Sequence, residues 1–94
     1  MGWVYILRCS DGSYYTGSTK RLDLRLIQYH LGGVRYTSKR LPVNLVYSYE
    51  FDSIEEAFLR ERQIKRWSRR KKEALIRGDI DALIEFSKSK TTPR

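Results

Sequence analysis

The sequence predicts a small α/β domain of the α+β type, in which helices flank a three-stranded sheet. Residues 3–9 and 14–17 are rich in β-branched and aromatic residues and flank a turn sequence, which is typical of a β-hairpin. Residues 44–51 have the same composition and predict a third strand. The remaining segments have helical spacing with cap residues. The predicted order is therefore hairpin, helix, strand and three further helices.

The predicted hairpin begins the chain. Its turn covers residues 10–13 and contains Asp11-Gly12, a strong hairpin signal between two β-rich runs. The return strand ends at Gly17. The first strand presents Trp3, Tyr5, Leu7 and Cys9 on one face and Val4, Ile6 and Arg8 on the other.

The first predicted helix covers residues 22–31. Leu22, Leu26 and Tyr29 share one face of it, with Arg25 beside them. Two glycines at positions 32 and 33 end the helix. Residues 34–42 are polar and basic, which predicts a loop before the third strand.

Three more helices follow the third strand, each with a candidate N-cap. Ser53 and Glu56 have the Ser-x-x-Glu spacing of a capping box, so a helix is predicted from Ile54 to Trp67. Ser68 caps a further helix that ends near Gly78. Asp79 caps a last helix through residue 86. We expect a single domain over residues 1–86 and a polar tail over residues 87–94.

The charge of the chain points to an anionic partner. The 94 residues carry a net charge of +8, with a sequence pI of about 9.9. This balance favours nucleic acid as the partner, although a run of charges can also be an ordinary solvated helix surface. The excess is concentrated in a basic run over residues 60–72. Its cations are Arg60, Arg62, Lys65, Arg66, Arg69, Arg70, Lys71 and Lys72.

Composition excludes several other classes of protein. No apolar run is long enough for a membrane helix, and the N-terminus lacks the pattern of a signal peptide. One cysteine and one histidine cannot form an internal disulfide or a zinc finger. We therefore expect a cytoplasmic protein without membrane partners, and any metal would be a hard ion held by oxygen.

Glu61 breaks the apolar pattern of its helix. It lies in the middle of the stripe formed by Ile54, Ala57, Phe58 and Ile64. A carboxylate among core-facing residues needs a partner. Two interpretations are open: a structural ion pair with Arg25 or another arginine, or a metal ligand.

The tyrosines are the second unusual feature. There are seven, and Tyr5 and Tyr15 lie on strands that would pair with each other. Each one alone is an ordinary strand residue. Together with Arg25 and Glu61 they form a candidate site, in which Gly17 would allow a ligand to approach the backbone closely.

These residues together resemble the GIY-YIG nuclease domain, and within it the small stand-alone bacterial members. The resemblance covers residues 3–77 and rests on four sites in order: Trp3-Val4-Tyr5, residues 15–19, Arg25 and Glu61. Further similar segments are residues 36–38, 40–43, 45–47 and 56–67. The resemblance implies an antiparallel sheet and the GIY-YIG endonuclease fold.

The resemblance also implies a function. It implies a metal-dependent endonuclease that cuts nucleic acid, with DNA as the expected partner and Mg²⁺ or Mn²⁺ as the cofactor. Glu61 would hold the metal, and Tyr5 would act as general base on the attacking water. Arg25 would bind the scissile phosphate, while Tyr15 orients the phosphate or the water. Arg25 and the metal are expected to lower the pKa of Tyr5.

The sequence also departs from the family pattern. Trp3 stands where glycine is usual, and Thr16 where isoleucine is usual. Tyr29 stands where stand-alone relatives often carry histidine, and it lies one helical turn beyond Arg25, on the site face. His30 is a poor candidate. The asparagine that repair and homing members carry after the glutamate has no counterpart here, since the one asparagine is Asn44.

Two other functions compete with the nuclease. One is a non-catalytic nucleic-acid-binding module that retains the fold, and the other is a protein-interaction domain with a basic helical face. A binder has no need of Glu61, whose charge would repel phosphate. In either nucleic-acid interpretation the expected phosphate contacts are Arg35, Lys39, Arg40, Arg66, Arg69, Arg70, Lys71 and Lys72.

Overall fold

A three-stranded antiparallel sheet lies at the centre of the structure, as predicted. The computed structural model describes the backbone of residues 1–91 and the side chains of residues 1–86. The strand order is β2-β1-β3, so both β2 and β3 are edge strands. The elements are β1 (Gly2–Arg8), β2 (Tyr14–Thr19), α1 (Leu22–His30), α2 (Arg35–Ser38), β3 (Asn44–Phe51), α3 (Ile54–Lys65), α4 (Arg69–Arg77) and α5 (Ile80–Thr91).

The alternation predicted for β1 divides the core in two. On one face Tyr5, Leu7 and Cys9 pack with Tyr29 of α1 and with Val43. On the other face the buried residues are Val4, Ile6 and Ile64 of α3, with Trp67 and residues of α4 packed beside them. The sheet therefore lies between α1 on one side and α3 with α4 on the other.

Local signals set the turns and helix starts. The hairpin turn closes with a hydrogen bond of 2.9 Å from the Gly12 amide to the Cys9 carbonyl, and Gly12 has a φ of 85°. The hydroxyls of Ser53 and Ser68 each accept a hydrogen bond of 3.2 Å from an amide of the first helical turn. The Asp79 carboxylate accepts one of 3.0 Å at the start of α5.

Several element bounds differ from the sequence prediction. β2 continues to Thr19, past the predicted end at Gly17. Residues 35–38 form the one-turn helix α2 within the predicted loop, and a single turn is too short to leave a periodic signal. α3 ends at Lys65, before the predicted Trp67. α5 continues to Thr91, past the predicted end at residue 86, and the last three residues of the predicted tail lie outside the described residues.

The apolar stripe of α3 is narrower than predicted. Ala57, Glu61 and Ile64 are buried against the sheet, with the spacing of successive helical turns. Phe58, predicted to be a core residue, is 49% exposed. Because α3 meets the sheet along one narrow line, a side chain 100° away from that line points to solvent.

No helix in the described part of the chain is long and apolar enough to cross a membrane.

Candidate active site at the edge strand

The candidate site lies at the β2 edge of the sheet, where residues from both faces meet. Tyr5 is paired across the ladder with Gly17. Gly17 therefore lies on the α1 face, and its neighbour Ser18 lies on the α3 face. Because Gly17 and Ser18 are consecutive residues of β2, they face opposite sides of the sheet. Tyr5 therefore lies beside Gly17 on one side of the strand, and Glu61 lies beside Ser18 on the other.

Gly17 is needed because the ring of Tyr5 crosses it. A Cβ added at Gly17 would lie 2.6 Å from Cζ of Tyr5 and would also clash with the Tyr5 hydroxyl. The sequence had suggested that this glycine exposes the backbone to a ligand. That expectation is wrong, because the space beside Gly17 is filled by Tyr5.

Glu61 is anchored by contacts to both of its carboxylate oxygens. The Ser18 hydroxyl donates a hydrogen bond of 2.5 Å to Oε1, and the Lys65 ammonium lies 2.7 Å from Oε2. The Glu61 side chain is 11% exposed, whereas that of Lys65 is 52% exposed. A buried carboxylate is stable with such partners. The ion pair predicted with an arginine is formed with lysine instead, one helical turn away.

Tyr5 and Tyr29 form a buried pair. Their hydroxyls are joined by a hydrogen bond of 2.7 Å, and their rings meet edge to face at 5.9 Å. Tyr15 packs against Tyr29 at 5.9 Å and against Tyr36 at 5.2 Å. The predicted site tyrosines are thus in one aromatic cluster beside Arg25.

The two phenols differ in acidity. Burial raises the pKa of Tyr5, against the lowering effects of the Tyr29 hydrogen bond and the Arg25 charge. Without a metal, desolvation of the phenolate outweighs both favourable contacts. The lowering expected from Arg25 together with a metal stays a prediction. Burial and then the hydrogen bond to Tyr5 raise the pKa of Tyr29 further. The hydrogen bond between the two hydroxyls thus lowers the pKa of Tyr5 and raises that of Tyr29.

Arg25 is partly exposed and lines a surface depression of about 570 Å³. Among the side chains of residues 1–86, none forms a hydrogen bond or an ion pair with its guanidinium. Its charge acts on Tyr5 across the site. His30, by contrast, is exposed, and its Nδ1 lies 2.8 Å from the Leu26 carbonyl, away from the site.

Two of the predicted phosphate contacts hold the hairpin turn. The Arg40 Nε is 3.2 Å from the Asp11 carboxylate, and its guanidinium stacks on Tyr36 at 4.1 Å. Arg69 donates a hydrogen bond of 2.8 Å to the Gly12 carbonyl, and it also pairs with Glu73 at 3.2 Å. Both arginines therefore have structural partners.

The other predicted contacts divide into two groups. Lys71 is buried, with its ammonium 4.2 Å from the centre of the Trp67 ring, and Arg70 lies 4.9 Å from the Phe86 ring. Desolvation lowers the pKa of Lys72. Three predicted cations are exposed and form no hydrogen bond, ion pair or aromatic contact within residues 1–86. These are Arg35, Lys39 and Arg66.

The two partners of Glu61 were not predicted from the sequence. Lys65 belongs to the basic run and lies four residues after Glu61 on the same helix. This spacing was the one sequence feature that indicated an ion pair between them. Ser18 follows the glycine of the edge strand and gave no signal of its own. Across the described residues, no group of three or more His, Cys, Asp or Glu side chains could enclose a metal ion.

Comparison with known proteins gives one family. Residues 1–74 match the model of the GIY-YIG catalytic domain. The chain is 48% identical over 75 residues to a UPF0213 protein of Staphylococcus saprophyticus, which covers 79% of this chain and 92% of that protein. It is 47% identical over 77 residues to a UPF0213 protein of Halobacterium salinarum, covering 81% of this chain and all of that one.

A solved structure agrees with the fold. The solution NMR structure of a UPF0213 protein from Bacillus halodurans superposes with a TM-score of 0.56 at 46% sequence identity. The match covers 84% of this chain and 86% of the other.

Proposed function

We propose, from the premise that this chain belongs to the GIY-YIG catalytic domain family, that it is a divalent-metal-dependent endonuclease acting on nucleic acid, with DNA as its expected substrate. One observation carries the proposal. An anchored carboxylate, a hydrogen-bonded phenol pair and a guanidinium without a partner among the described side chains converge at the β2 edge. Phosphodiester hydrolysis needs these three functions: charge neutralisation, a base and a phosphate ligand.

Glu61 is suited to hold the metal. Its Oε2 already binds a cation, the Lys65 ammonium, whose half-exposed side chain is free to move into solvent. Mg²⁺ in proteins is usually held by one or two carboxylates, with water and substrate oxygens completing its shell. A site with one carboxylate therefore fits Mg²⁺ or Mn²⁺ that arrives with a phosphate. Such an ion would neutralise the phosphate charge and support the leaving oxygen.

Arg25 binds the scissile phosphate in this proposal. Its guanidinium offers planar donors that match phosphate oxygens, and no bond to a side chain of residues 1–86 has to break before it can do so. It lies close enough to Tyr5 to stabilise a phenolate. The same side chain therefore positions the phosphate and favours the charged form of the base.

Tyr5 is the general base. Its phenolate takes a proton from the attacking water, the new P–O bond forms, and the bond from phosphorus to the leaving ester oxygen breaks. Tyr29 keeps its own proton and donates a hydrogen bond to the phenolate. Tyr15 packs on Tyr29 and orients the phosphate or the water.

A second candidate is a nucleic-acid-binding module without catalysis. One observation favours it: Lys65 and Ser18 satisfy the Glu61 carboxylate without any metal. The missing asparagine after Glu61 is also consistent with it. In that function Tyr5, Arg25 and Glu61 would be remnants of an older site.

The deciding experiment is cleavage of labelled single-stranded, duplex and branched DNA, and of RNA, with Mg²⁺, with Mn²⁺ and with chelator. Glu61→Gln is the test variant, because it keeps the shape of the side chain and removes its charge. Glu50→Gln is the control, since Glu50 is exposed on β3. We expect metal-dependent cleavage that falls by at least about 10²-fold in Glu61→Gln alone. Salt-sensitive binding without cleavage by the wild type would instead establish the binding module.

A further inference from the structure

Phe58 is an exposed aromatic side chain close to the candidate site. It lies on α3, one helical turn before Glu61, and is 49% exposed although the apolar pattern placed it in the core. The nearest cation over its ring is Arg62, at 6.0 Å. Leaving half of a phenyl ring in water forfeits apolar burial, so the position suits a ligand that covers the ring.

Phe58 forms part of the depression that contains Arg25. The depression, about 570 Å³ in volume, lies between two walls of different character. One wall, from β2 and the start of α1, carries Ser18, Lys20 and Arg25. The other wall, from the first turns of α3, is apolar at Ile54 and Phe58 and also carries Glu55.

The depression continues directly into the candidate site. Ser18 lines it and also donates to Glu61, and Arg25 lines it and acts on Tyr5. A nucleotide next to the scissile phosphate would therefore enter this depression. Its phosphate suits the cationic wall, since the Glu55 carboxylate disfavours phosphate at the other wall, and its base suits the ring of Phe58.

We infer that the depression is a subsite for one unpaired nucleobase, which stacks on Phe58 while its flanking phosphate contacts Arg25 and Lys20. Its place beside the cleaved bond rests on the proposed function, whereas base binding does not. Every nucleobase has a π-face, so stacking gives affinity without sequence preference. A base inside a duplex already has both faces covered. The inferred substrate therefore has a single-stranded or extruded nucleotide at this point.

The test is binding without cleavage. A short single-stranded oligodeoxynucleotide carrying one 2-aminopurine is titrated with protein in the presence of chelator, beside a duplex of the same sequence. Base fluorescence reports stacking, and anisotropy reports affinity. The variants are Phe58→Leu, which removes the ring, and Phe58→Trp, which restores one. Tyr49→Leu is the matched control, because Tyr49 is an exposed aromatic on β3, outside the depression.

We expect Phe58→Leu to weaken single-strand binding by about tenfold and to abolish the fluorescence change. Phe58→Trp should retain both, and Tyr49→Leu should bind like the wild type. Duplex affinity should be the same for all four proteins. Thermal unfolding of each variant verifies that the fold is intact.

Three results would overturn the subsite: no single-strand binding by the wild type, wild-type affinity in Phe58→Leu, or equal losses on single strand and duplex. Because the titration contains no metal, it separates the two proposals. Phe58-dependent binding by a protein that never cleaves would refute the nuclease and keep the subsite. Cleavage by the wild type, together with wild-type single-strand affinity in Phe58→Leu, would do the reverse.

Discussion

The structure contains two cationic regions, and Arg69 in one is in the opposite situation to Arg25 in the other. In the basic run, Arg69 is bonded to the Gly12 carbonyl and to Glu73, and Lys71 is buried over Trp67. At the β2 edge, Arg25 lines an open depression with no hydrogen bond or ion pair to any side chain of residues 1–86. The most buried and best-bonded cations therefore lie in the region with more charge in the sequence.

This difference has a physical cause. A guanidinium that already satisfies a carbonyl and a carboxylate must break those bonds before it binds phosphate, and the groups left behind lose their partners. A guanidinium without internal partners exchanges only water for phosphate. We therefore expect the availability of hydrogen-bond donors, more than the density of charge, to decide which cations of this protein contact phosphate.

The largest effect is expected at Arg25. Arg25→Gln should lower kcat/KM for cleavage by about 10²–10³-fold, because a donor to the developing phosphate charge is lost. Arg25→Lys should recover only part of the rate, since an ammonium cannot give the planar contact. Steady-state cleavage assays measure both. A rate within twofold of the wild type in Arg25→Gln would remove this residue from the phosphate site.

A smaller effect is expected from Tyr29→Phe, which tests the phenol pair at the same edge. Loss of the donated hydrogen bond raises the pKa of Tyr5 further, because that bond favours the phenolate. The reaction needs deprotonated Tyr5, so the rising limb of the pH–rate profile should move to higher pH. At pH 7 the rate should fall by about tenfold and recover as the pH rises.

The control for this variant is Tyr36→Phe, since Tyr36 touches Tyr15 but makes no hydrogen bond to Tyr5. Its pH–rate profile should coincide with that of the wild type. An unchanged profile in Tyr29→Phe would contradict Tyr5 as the base that Tyr29 supports.

The smallest effect is expected at Arg69, in the basic run. Arg69→Ala should lower the free energy of unfolding by about 1 kcal/mol, because the turn loses one charge-assisted hydrogen bond while the half-exposed pair with Glu73 contributes little. The salt dependence of nucleic-acid affinity should stay the same. Urea unfolding and binding titrations at several salt concentrations measure the two quantities.

For Arg66→Ala we expect the opposite result, a change in the salt dependence of binding without a change in stability. Arg66 is exposed without an internal partner among residues 1–86, so its loss should reduce the salt slope by about one and leave stability unchanged. If Arg69→Ala reduced the salt slope and Arg66→Ala did not, partner availability would be the wrong criterion.

The features that the sequence determined are local. Alternation in residues 3–9 separated the two faces of β1, and Asp11-Gly12 placed the turn. Ser53 and Ser68 marked helix starts, because a hydroxyl that caps an amide acts within one turn of chain. The motifs also indicated the family, since they follow one another along the chain in the order that the family has them.

The features that only the tertiary structure decided depend on distant contacts. The partner of Glu61, the exposure of Phe58 and the space beside Gly17 follow from how α3 and Tyr5 lie against the edge strand. The sequence alone also could not distinguish two arginines. Arg69 donates a hydrogen bond to a turn 57 residues away, whereas Arg25 forms no hydrogen bond or ion pair with the described side chains. Charge is a property of a residue, but its availability depends on what the folded chain has placed beside it.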